Sequence, residues 1–95
     1  MERASARDAI EVYQPPAFVP GTKVRAKKTV RNDGTMPGAV IGDVLVTKGD
    51  EGYVRDVGVF LQEFYVYSVE FVALGRIVGM RRHELVALAA AEPRP

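Results

Sequence analysis

The chain has no cysteine. That absence removes disulfides, thiolate metal sites, cysteine nucleophiles and cysteinyl ligation of iron–sulfur clusters together. Histidine is nearly absent too: His83 stands alone among Arg81, Arg82 and Glu84. One imidazole and scattered acids make a poor metal site, and no acid–base pair or nucleophile stands out. No cofactor, no metal and no catalytic activity are expected. No apolar run reaches the roughly 18–20 residues that span a bilayer. Charge of one sign is also lacking, since the formal net charge is +1. Bulk charge therefore gives no sign of a nucleic-acid binder. The opening residues, MERASARDAI, carry both charges and no apolar signal core, so a cytoplasmic protein is expected.

What is present suits one small domain. Hydrophobic residues make up 47% and charged residues 26% of 95 positions, enough for a modest core. Pro15, Pro16 and Pro20 oppose helix near the start. Residues 1–17 are expected to form a tail or clasp, with Val12, Tyr13 and Phe18 able to pack on the domain. The domain is expected over 18–88, and a second tail over 89–95.

Within the domain, apolar runs alternate with glycine. Lys23-Val24-Arg25-Ala26-Lys27 has period two, with cations facing outward. The Lys27-Lys28 pair breaks that phase, which predicts a bulge within a strand over 22–30. A further strand is predicted at Val44–Val46, followed by a tight turn at Lys48–Gly52. GYVRDVGVFLQ reads as a strand interrupted at Gly58. Residues 64–75 form the strongest strand, with Tyr65, Tyr67, Val69 and Phe71 on one face. RIVGM is another strand. Arg82-His83-Glu84 is a short helical turn and LVAL a closing strand, although ELVALAAAE also suits a short helix. Five or six strands roughly ten residues apart predict an all-β fold, a small SH3-like antiparallel barrel.

One stretch exceeds what a hairpin needs. RNDGTMPG, residues 31–38, holds Asn-Asp-Gly and Pro-Gly bends. The loop around it runs to about ten residues, and long ordered loops on small domains often carry function. Arg31, Asn32, Asp33 and Thr35 are therefore candidates for partner binding, with Arg25 and Arg55 as neighbouring cations. Pinning of the loop to its own backbone by Asn32 and Asp33 is the competing reading. Arg55 and Asp56 should face opposite ways by strand alternation. An inward Asp56 could accept backbone N–H groups from the loop. Lys23, Arg25, Lys27, Lys28 and Arg31 form a basic stripe that could blunt an edge strand, meet an acidic protein or contact RNA.

The ordered pieces VRNDGT, PG, GD, KGDEGYVRDVGVFLQ, YSVEF, GRIVG and EL, from about Phe18 to Val86, are together distinctive. The chain resembles the NifZ family of nitrogen-fixation accessory proteins. The resemblance implies a non-enzymatic factor that assists P-cluster formation in the nitrogenase molybdenum–iron protein. Its implied partner is the immature form of that protein, with other nitrogenase maturation factors as further candidates. From the residues themselves, neither a membrane nor nucleic acid is expected as a partner. Without cysteine, the chain is expected to hold a client and not to carry iron. The alternative reading is a small barrel with a basic edge that binds RNA or the ribosome.

Overall fold

The computed structural model describes residues 10–88. Seven strands make up the described part: β1 (Lys23–Ala26), β2 (Val30–Arg31), β3 (Val44–Val46), β4 (Glu51–Phe60), β5 (Phe64–Phe71), β6 (Arg76–Met80) and β7 (Leu85–Ala87). The sheet order is β6-β5-β4-β1-β7, all antiparallel, and β2 and β3 form a separate pair. The all-β fold is as expected. The barrel, however, is open: β6 and β7 are the two edges of the sheet and are not hydrogen-bonded to one another.

Period-two patterning builds the core. Val24 and Ala26 of β1 face inward between exposed Lys23 and Arg25. On β5, Tyr65, Tyr67, Val69 and Phe71 are all buried. Val54, Val78, Met80 and Leu85 complete the same cluster with Leu45 and Val46 from β3. Gly52 is required where β4 passes between β1 and β5. It sits opposite Val24, and a Cβ there would stand 2.6 Å from the Glu70 carbonyl oxygen.

Several boundaries differ from expectation. The strand expected over 22–30 is two strands, β1 and β2, which belong to different sheets. The Lys27-Lys28 phase break is thus a corner, with Lys27 N–H bonded to the Glu84 carbonyl at 2.8 Å. The strong strand stops at Phe71, and Val72–Leu74 forms a 3-10 turn that ends on left-handed Gly75. Residues 85–87 form strand, so the short helix beginning there does not occur; its later positions lie outside the described residues. Gly58 does not interrupt β4. The irregularity falls between Val54, opposite Val69, and Asp56, opposite Ser68. Arg55 is the extra residue of this bulge. It shifts the alternation by one residue, so Arg55 and Asp56 are both exposed. The inward Asp56 is therefore corrected.

The turn at the end of β4 is unusual for its residues. Glu63 N–H closes on the Phe60 carbonyl at 3.0 Å, and both Leu61 (φ 54) and Gln62 (φ 57) lie in the left-handed region. That pair of conformations normally selects Asn-Gly.

Residues 10–18 run back over the sheet as a clasp. Val12 N–H donates to the Glu63 carbonyl at 3.1 Å, and Glu11 Oε1 accepts Tyr65 N–H at 3.1 Å. The Tyr65 hydroxyl donates to the Gln14 carbonyl at 2.6 Å. Phe18 is buried edge-on against Tyr67, with ring centroids 5.1 Å apart.

Candidate functional site

The loop between β2 and β3 is organised from within. Asn32 is 2% exposed, and apart from the core tyrosines it is the only buried polar or charged side chain among the described residues. Its Nδ2 faces the carbonyls of Ala39 (3.0 Å), Val40 (3.2 Å) and Met36 (3.4 Å). Its Oδ1 accepts the N–H groups of Gly34 (3.0 Å) and Met36 (3.1 Å). Its backbone is tied to Asp43 and Gly42 at 2.7 Å each. One amide side chain thus replaces the ladder that a loop of this length lacks. This is the role that the inward Asp56 was expected to fill.

Around that hub the loop presents its outer groups. Asp33 Oδ1 accepts the Thr35 hydroxyl (2.9 Å) and the Thr35 N–H (3.2 Å). The hydroxyl bond, then the amide bond, hold the Asp33 carboxyl below its ordinary value of 3.8. Arg31 Nη1 donates to the Gly42 carbonyl at 3.0 Å and leaves the rest of the guanidinium exposed. Asp43 Oδ2 receives Val40 N–H at 3.0 Å. Val40 and Ile41 project from the far side, 70% and 73% exposed.

The loop forms one wall of a groove of about 590 Å³. Arg31, Asp33, Thr35, Met36 and Pro37 line that wall. Phe60, Val66, Ile77 and Gly79 line the other, and Arg81 and Glu84 border both. Gly79 has no side chain, so it lines the groove with main chain. At one end the Arg76 guanidinium crosses to β3, with Nη1 3.2 Å from the Leu45 carbonyl oxygen.

Of the residues selected from sequence, Arg31, Asp33 and Thr35 lie on the groove and Asn32 beneath it. Arg25 and Arg55 lie elsewhere. Arg25 pairs with Glu51 at 3.0 Å, and Lys23 shares that carboxylate at 3.6 Å. The basic stripe thus meets an acid supplied by β4, and Glu51 is held below its ordinary value chiefly by the Arg25 hydrogen bond. Arg55 pairs with Glu70. The second wall went unnoticed in the sequence, although a signal exists: the first half of β5 is apolar on both faces, with Phe64 and Val66 opposite Tyr65 and Tyr67. His83 is exposed on the 3-10 turn Arg82–Glu84. Among the described residues no group of three histidine or acidic side chains could hold a metal ion, and no helix is long and apolar enough to cross a membrane.

The NifZ domain model matches residues 15–87, a span that contains the groove and the end of the clasp at 15–18. The chain belongs to the NifZ family. It is 61% identical over 71 residues to the probable NifZ protein of Rhodobacter capsulatus, covering 75% of this chain and 91% of that one. It is 53% identical over 81 residues to the putative NifZ protein of Sinorhizobium fredii, covering 85% and 75%. The NifZ protein of Klebsiella pneumoniae is 42% identical over 73 residues, which are 77% of this chain but 49% of that one. No solved structure matches. NifZ membership supports an accessory role in nitrogen fixation.

Proposed function

We propose that this NifZ-family chain is a non-catalytic, cytoplasmic factor that binds the immature nitrogenase molybdenum–iron protein and assists formation of its P-clusters. The observation that carries the reading is the loop at 31–43. A buried asparagine holds it in one shape, and it presents Arg31, Asp33 and Thr35 to a groove. A preorganised loop binds without the entropy loss of ordering it. With no cysteine in the chain, cluster chemistry belongs to the client, and the accessory protein holds or shapes it. Other maturation factors are further partners under this reading.

The experiment is affinity capture from cells that accumulate the immature molybdenum–iron protein. The tagged chain should enrich that client over an unrelated iron–sulfur protein. The double substitution Arg31→Ala with Thr35→Ala should reduce the enrichment while circular dichroism and thermal midpoint stay unchanged. Equal recovery of client and unrelated protein sinks the proposal. Full enrichment by the double variant reduces the loop to a turn.

A further inference from the structure

β6 is hydrogen-bonded to β5 alone. Among the described residues no backbone bond outside that ladder engages Ile77, Val78, Gly79 or Met80. An antiparallel edge strand leaves alternate N–H and C=O groups facing outward and unpaired. Natural edges are commonly blunted by lysine, proline or a bulge. The centre of β6 reads Ile77-Val78-Gly79, and its register with β5 runs unbroken from Arg76 to Met80. β3 is likewise paired on one side, to β2. Its Val44 and Leu45 carbonyls accept from Arg76, which is how the two strands are linked at one end of the groove.

The charges along the groove are unevenly used. Both carboxylates are occupied: Asp33 by Thr35, and Glu84 by the Arg81 N–H at 2.9 Å. Among the described residues neither guanidinium is ion-paired. Arg31 bonds one carbonyl and makes no ion pair among the described residues. Arg81 lies with its Cζ 3.5 Å from the Phe64 ring centroid, and its buried Nε has no hydrogen-bond partner. What the groove offers is a row of main-chain groups, two cations and an apolar wall that includes Val66 and Ile77.

We propose that the free edge of β6 receives an extended peptide segment of a partner protein as an added strand. Its main chain pairs with β6, an apolar side chain covers Val66 and Ile77, and a carboxylate meets Arg31 or Arg81. This rests on reading the loop as a recognition surface, and it specifies how that surface binds. Added strands take their affinity from main-chain hydrogen bonds and their specificity from alternate side chains. The edge is about 17 Å long at the usual strand rise, room for a short segment.

The test uses the isotope-labelled protein and a synthetic peptide, acetyl-Val-Glu-Val-Glu-Val-amide, with no nitrogenase component present. A negative result here leaves the client capture standing, and failed capture leaves peptide binding standing. Saturating peptide should slow hydrogen exchange at amides within 76–80. Replacing both glutamates by lysine should weaken binding about tenfold. Two further peptides carry backbone N-methyl groups on odd or even positions, and at least one should fail to bind. The variant Ile77→Lys should also weaken binding. No exchange protection in β6, or equal binding by both N-methylated peptides, overturns the proposal. Protection of β6 that grows with protein concentration in the absence of peptide assigns the edge to a second copy, and also overturns it.

Discussion

The amide nitrogen of Ala17 donates to the phenolic oxygen of Tyr67 at 2.9 Å, fastening the segment ahead of β1 to a fully buried core residue. Tyr67→Phe keeps the ring and its contact with Phe18 but removes this acceptor. Stability should fall by about 1 kcal/mol. Limited proteolysis within residues 10–17 should accelerate, and unchanged cleavage would show that the clasp is held without this bond.

The same phenol predicts an alkaline limit. Burial, the largest cause, raises the Tyr67 hydroxyl above its ordinary value of 10.0. The folded chain therefore holds this proton more tightly than the unfolded chain does. The contribution is complete below pH 10 and is lost as pH rises past the unfolded value towards the folded one. Denaturant midpoints should decline above pH 10, and Tyr67→Phe should flatten that decline.

Asn32→Ala should destabilise by about 2–3 kcal/mol, because buried carbonyls and N–H groups of the loop lose their partner. Asn32→Asp should be no better. It keeps Oδ1 for Gly34 and Met36 but turns a second oxygen on the carbonyls of Ala39 and Val40. Chemical denaturation of the three proteins checks the order, and a wild-type midpoint for Asn32→Asp would refute it.

Gly52→Ala should lower stability by about 2 kcal/mol, within the range for overpacking. The new Cβ would meet the main chain at Glu70 and the side chains of Val69 and Phe71 at 2.9 and 3.0 Å. Gly58→Ala, with nothing nearer than a carbonyl at 4.0 Å, is the control and should change little.

Acid should release the outer turn of the loop before the hub. Asp33 is held below 3.8 by Thr35, so its contribution is present above that value and is lost as pH falls through the lower folded value. The Thr35 amide resonance should titrate with a midpoint below 3.8, and Asp33→Asn should abolish that titration.

How much of this was legible depended on distance along the chain. The alternation of β1 and β5 follows from adjacent residues, and the strands formed where it was read. Asn32 and Asp33 are turn residues whose partners lie within eleven positions, so the pinned loop was legible too. Asp56 misled because a bulge adds one residue and reverses the phase, and KGDEGYVRDVG contains no glycine at Arg55 to mark it. The open barrel rests on β6 and β7 remaining unpaired edges, and the second wall of the groove on how β6 lies against β3. Those strands are thirty residues apart, and they meet through the Arg76 guanidinium and the shared core of Leu45, Val46, Val78 and Met80. No local pattern encodes such a relationship.

The left-handed pair at Leu61 and Gln62 bears on how the chain folds. For residues with a Cβ each such conformation costs roughly 1–2 kcal/mol, so this turn opposes the hairpin it joins. Nucleation of the β4–β5 pair at its tip is therefore disfavoured. Its closure is expected to depend on the core contacts of Tyr67, Val69 and Phe71. Folding should be slow for a domain this small, and Gln62→Gly should quicken it.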